Sequence, residues 1–246
     1  MSEVTDAVAP EPAAPLPGLI ARAIGVLVSP RATFERLAPT PKVGGMLLLV
    51  AVLISASAAP FLMTEHGQQA WLDATIQVTE HRSGQPITPQ QQAGVEKIAP
   101  YMGYVIAGGA LAVTPIFILF EAGVLYLIFT FGTGGTATFK QVMAVVTHTG
   151  VISVLLMVFT TAMQFVQGTY STSGVSPANL GALVPMLPEE SWLAHFLGLI
   201  DLFRVWSIIT LSIGLSVIYH KKTRNIALTL FVIYGVVIAA VAYFFR

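Results

Sequence analysis

The chain has 246 residues, 55% of them apolar and only 10% charged, with a mean hydropathy of +0.77, a balance that excludes an ordinary water-soluble domain. Twelve basic and twelve acidic residues cancel, so no general attraction to nucleic acid is implied. The absence of cysteine excludes disulfides, thiolate nucleophiles and Cys-based metal sites.

Residues 1–17 are rich in Pro, Ala and acids and carry too few large apolar groups to offset ordering entropy, so this tail is expected to be disordered. Residues 18–42 form a juxtamembrane region. Within it Leu19, Ile20, Ile24, Val26, Leu27 and Val28, with Arg22, make a short amphipathic segment that is too short to span and suits the headgroup layer. Ser29 followed by Pro30 is a helix start, because Ser caps orphan amides and Pro fits the first helical position. The helix Pro30 to Leu37 is expected to turn Phe34 and Leu37 to the membrane and keep Arg31, Glu35 and Arg36 wet.

Residues 43–246 read as a membrane domain. Five apolar runs, near 43–63, 101–131, 142–166, 193–218 and 225–245, each reach the 20 or so residues that cross a bilayer at a 1.5 Å rise. The expected fold is therefore all-α: a polytopic membrane protein with five transmembrane helices and a short amphipathic N-terminal helix. Ala56-Ser57-Ala58 resembles a signal cleavage site, but the region before it is too long and the run is of span length, so the first span is expected to be retained. Between the first two spans, 64–100 reads as a helix around Gln68 to Glu80, a turn through Ser83 to Pro89, and a second helix capped by Thr88 and begun by Pro89. Pro115 is expected to kink the second span. The loop 167–192 mixes Gly, Ser, Thr and Pro and is expected to be mostly irregular. Gly108 with Ala112, Ser212 with Ser216 and Gly235 with Ala239 are small pairs four apart that allow close helix approach, within the bundle or in an oligomer.

Lys and Arg in the connections set orientation. With the N-terminus inside, Arg22, Arg31, Arg36, Lys42, Lys140, Lys221, Lys222 and Arg224 lie on the cytosolic side, against Arg82, Lys97 and Arg246 outside. This bias predicts an inner, cytoplasmic-membrane protein with a cytosolic N-terminus and, after five spans, an external C-terminus.

Ionisable groups inside spans are costly and usually face the bundle interior. Glu121, His148, Asp201 and Arg204 are the candidates, and their depths predict one interior cluster in which Asp201 and Arg204, three apart, pair locally. Such a cluster can act as a proton or solute relay. It can equally fix helix packing, and that structural reading is preferred because one Arg between two carboxylates closes the network.

No enzyme signature emerges. The turn Gly132 to Lys140 lacks the Gly-Lys-Ser/Thr ending of a phosphate loop, and the five histidines are scattered, so no catalytic residue, metal site or cofactor is assigned. The expected partners are the lipid bilayer and a protein at the cytosolic face, met through Pro30, Arg31, Phe34 and Arg36.

The segment Ile24 to Leu37, with its Pro30-x-x-x-Phe34 element before five spans, resembles bacterial members of the YIP family of Ypt- and Rab-interacting membrane proteins. Ile87 to Gln92 and Thr138 to Val145 are similar too, so the likeness covers about residues 20–245. The resemblance implies a five-span bundle with a cytosolic N-terminal region, and in eukaryotic relatives a trafficking role through small GTPases. The Asp-Leu-Tyr-Gly-Pro element of those eukaryotic members is absent here, which counts against a small GTPase as partner. The reading that follows is a non-enzymatic protein of membrane organisation or partner docking, with a small-solute or proton-coupled transporter as its rival.

Overall fold

Helices form every extended element of the computed structural model, which describes residues 16–132, 134–171, 176–184, 186–188 and 191–244. The tail expected to be disordered thus lies almost entirely outside the described residues, as does Arg246, one of the three basic residues counted as external. The N-terminal hairpin is α1 (Leu19–Val28) and α2 (Pro30–Leu37), begun at Pro30 as the sequence predicts, but the Ser29 side chain does not cap it. The first apolar run gives the shortest of the helices expected to span. Helix α3 covers Gly44–Ala58, about 22 Å at 1.5 Å per residue, and the chain then breaks near Pro60 into a 3-10 turn, Phe61–Met63.

Beyond it, α4 (Glu65–Ser83) is capped by Thr64, whose hydroxyl accepts the Gly67 N–H at 3.0 Å. Helix α5 (Pro89–Ile98) opens on a capping box in which Thr88 and Gln91 satisfy each other's backbone amides. A 3-10 turn joins α5 to α6 (Met102–Tyr126), which runs through Pro115 and ends in a π-helical turn, Leu127–Phe131. Helix α7 is Phe139–Gln167, again started by a capping box, Thr138 with Gln141.

The fourth run departs from expectation. Residues 193–218 are not one helix but two, α8 (Trp192–Gly198) and α9 (Leu202–Tyr219), before α10 (Thr223–Phe244) completes the chain. The break is at Asp201. Its Oδ1 accepts the Arg204 N–H at 2.9 Å, so the carboxylate serves as N-cap of α9 rather than sitting inside a span. The broken backbone is satisfied by the preceding loop: Leu180 N–H donates to Ile200 O at 2.9 Å and Leu202 N–H to Ala178 O at 3.0 Å. Non-helical backbone among apolar helices is tolerated where protein supplies such partners.

Four stretches, 89–131, 139–167, 202–219 and 223–244, are long and apolar enough to cross a membrane unaided, and α3 adds a shorter fifth apolar element. Helix α7 is the centre. It packs on α3, α6 and α9, while α10 packs outside α9. Eight consecutive residues of α7, Val142 to Thr149, are buried, which needs neighbours all round the helix, and α1 completes that ring. Hydroxyls tie the spans: Ser55 donates to Ala107 O at 2.7 Å, Thr161 to Ser57 O at 2.6 Å, and Tyr234 to Leu199 O at 2.6 Å. At the end opposite the hairpin, Phe61, Leu62, Trp71 and Ala99 form a second small core that seats α4. Of the small pairs, Ser212 and Ser216 are buried, whereas a Cβ added at Gly108 or Gly235 would meet nothing within 4 Å.

Candidate functional site

The hairpin closes one end of the bundle. Its two helices touch where Gly25 lies against Thr33; a Cβ at Gly25 would come within 2.5 Å of the Thr33 Oγ1. Phe34 and Leu37 do not face the membrane. Each is only 1% exposed, in the main core. The Phe34 ring fits a slot on α9 at Gly214, where an added Cβ would sit 2.5 Å from Val145 Cγ1 and 3.0 Å from the ring. The α2 stripe is apolar as expected, but α7 and α9 offer it a fitted partner, and dense packing wins over disordered lipid. Gln141 locks the arrangement by donating to Ala38 O at 3.0 Å.

Helix α1 divides its apolar residues. Ala23 and Val26 are buried against the bundle, while Ile20, Ile24 and Val28 point outward and stay exposed. Of the other predicted contact residues, Pro30 is half-buried and Arg36 exposed, while Arg31 lies 3.6 Å from Glu35 and donates to Thr223 Oγ1 at 3.0 Å. Arg31, Glu35, Gln141, His220 and Lys221 line a groove of about 540 Å³ beside α2.

The four predicted cluster residues do not come together. His148 is fully buried under the hairpin, where its Nδ1–H donates to Ala144 O at 2.8 Å. Nε2 is then left as the acceptor for Arg22 Nη1, at 3.4 Å. Arg22 was expected at the headgroup layer with its amphipathic segment, yet it turns inward across α1 to reach this histidine. Asp201 is taken up as the α9 cap, and it makes no side-chain ion pair with Arg204. Among the described residues the ion pair within 4.0 Å is Arg31 with Glu35.

Glu121 and Arg204 are the two that share a site. They line a cavity of about 480 Å³ between α3, α6, α7 and α9, and Arg204 is near enough to act on the Glu121 charge. Thr149, Ser153 and Ser207 add hydroxyls to the wall, and Phe117, Phe120, Leu156 and Met157 make the rest apolar. Thr149 is spent on Val145 O at 2.9 Å. The serines were not foreseen, although a hydroxyl on each of α7 and α9 at the depth of the charges is a readable signal. Among the described residues no three His, Asp or Glu side chains gather as a metal site would require.

The Yip1 domain family profile matches residues 24–245. The chain is also similar to a Bacillus subtilis (strain 168) protein named membrane protein YknW, 28% identical over 200 residues, which are 78% of this chain and 75% of that protein. No solved structure matches.

Proposed function

Since the chain belongs to the Yip1 domain family of multi-pass membrane proteins, we propose that it is a non-enzymatic organiser of the cell membrane whose N-terminal hairpin wedges into the cytosolic leaflet. The observation that carries this reading is the outward stripe Ile20, Ile24 and Val28 on a helix whose other face is fixed to the bundle. A short helix of this kind lies in the headgroup region with its apolar side in the acyl boundary, and displaces lipid in one leaflet only. The Lys and Arg bias supports the hairpin end as cytosolic, with the C-terminus outside. The bacterial relative's name, a membrane protein, supports the cell membrane as its place. The groove beside α2 is the docking point offered to a protein partner there, and a small GTPase forms no part of the proposal.

The test is curvature sorting of the reconstituted protein, oriented hairpin outward, on tethered vesicles of about 50 and 400 nm diameter. Enrichment on the small vesicles is expected, with loss in a folded variant carrying Ile20→Ser, Ile24→Ser and Val28→Ser. Equal density on both sizes for the native chain would sink the wedge. The rival transporter reading is weakened because His148 and Asp201 lie off the cavity that holds Glu121 and Arg204, leaving the predicted relay interrupted.

A further inference from the structure

The cavity between α6 and α9 poses an electrostatic problem that the wedge leaves unanswered. Glu121 and Arg204 are both exposed on helices otherwise apolar enough to lie in a membrane, yet they make no direct ion pair within 4.0 Å, and neither side chain has a hydrogen-bond partner among the described residues. Charges left apart in such surroundings are costly unless something bridges them. Their depths differ. Glu121 is about 15 Å along the helix from Phe131, and Arg204 about 22 Å from Tyr219, an offset of about 7 Å between helices that face each other across the cavity. Ser153 and Ser207, also without hydrogen bonds among the described residues, line the space between.

The mouth faces sideways. Phe117 and Phe120, beside Glu121 on α6, are 67% and 69% exposed, and the lining residues of α3, α6 and α7 lie in the middle of those helices, with Arg204 and Ser207 in the first turns of α9. In a bilayer such an opening meets lipid. From this geometry we propose that the cavity binds a zwitterion carrying an ammonium and a phosphate a few ångströms apart, the headgroup chemistry of an aminophospholipid. Arg204 takes the phosphate, for which its planar fork is suited, and Glu121 takes the ammonium. The serines complete the phosphate's hydrogen bonds, and the aromatic mouth accepts the acyl chains.

The experiment is native mass spectrometry of the full chain released from nanodiscs of equal phosphatidylethanolamine and phosphatidylglycerol. Phosphatidylethanolamine should be retained about tenfold over phosphatidylglycerol, the size of one charge-assisted contact. Glu121→Gln, which keeps Arg204 alone, should reverse the preference toward the anionic lipid, and Arg204→Gln should lose retention of both. Equal retention of the two lipids by the native protein, or a preference that Glu121→Gln leaves unmoved, overturns the site. Should a variant fail to fold, a photoactivatable phosphatidylethanolamine on the native chain decides: labelling must fall on Phe117 to Glu121 and Leu156 to Met157, and labelling confined elsewhere overturns the proposal. Adding water-soluble glycerophosphoethanolamine separates the sources. Retained lipid unaffected by it assigns the zwitterion to the bilayer, and displacement at millimolar concentration assigns it to the aqueous side.

Discussion

Replacing Phe34 by Ala tests whether the hairpin is held by the bundle or by lipid. The ring is 1% exposed and lies against Gly214, which Val145 also crowds, so its removal leaves a hole that backbone on α9 cannot fill. Phe→Ala in a packed core costs about 3–5 kcal/mol. The lower end applies here, because an undocked Phe34 would rest in the headgroup layer rather than in water. About 3 kcal/mol shifts the docking equilibrium on the order of a hundredfold. The chain has no cysteine, so introduced thiols report without interference. Spin labels at Arg36→Cys on α2 and Lys222→Cys in the turn before α10, both exposed positions, should give a narrow distance distribution in the native protein. Phe34→Ala should broaden it while insertion and the α6 to α10 bundle persist. A distribution unchanged by Phe34→Ala would mean that lipid contact, and not the Gly214 slot, holds α2, and the reasoning would fail.

Three further outcomes follow from the same packing. Gly214→Ala should lower the thermal midpoint in detergent by an amount equivalent to about 1–3 kcal/mol, and that loss should shrink in a Phe34→Leu background; additive losses would place the two apart. His148→Leu should destabilise more than Arg22→Met, by about 1–2 kcal/mol, because it strands a buried guanidinium that already has an unpartnered Nε, whereas Arg22→Met leaves only a neutral nitrogen unpaired; the reverse order in thermal unfolding would refute the pairing. Asp201→Ala should cost about 1–2 kcal/mol through loss of the α9 cap while Asp201→Asn costs little, since an amide oxygen can accept the same N–H; equal losses would show that charge and not capping matters there.

Much of the architecture was legible before any coordinates. Long apolar runs mark α6, α7 and α10 because a span is a matter of length and mean hydropathy, and both are local properties of the chain. The cap at Thr88 was equally local, a side chain acting within three residues of itself, and so was the helix start at Pro30, although Ser29 before it makes no side-chain cap. Asp201 is the instructive exception. Its place before an apolar stretch is an N-cap signal, but the hydrophobic run from 193 onward runs straight across it, so averaging concealed a break that one carboxylate makes.

The remaining differences share one physical origin: an apolar stripe shows that a face is dry without saying what dries it. Phe34 has the same helical spacing whether it meets lipid or Gly214, and Gly214 lies 180 positions further along the chain. Arg22 looks wet on its own helix and becomes an interior residue only because His148, 126 positions away, presents an acceptor beneath it. Glu121 and Arg204 line one cavity although counting residues at a fixed rise sets them several ångströms apart in depth. Whether two such charges touch depends on the width of the gap between their helices, and here that gap is a cavity. The sum of four charged side chains therefore suggested a closed network, where the bundle divides them into a cap, a buried histidine pair and two charges held apart.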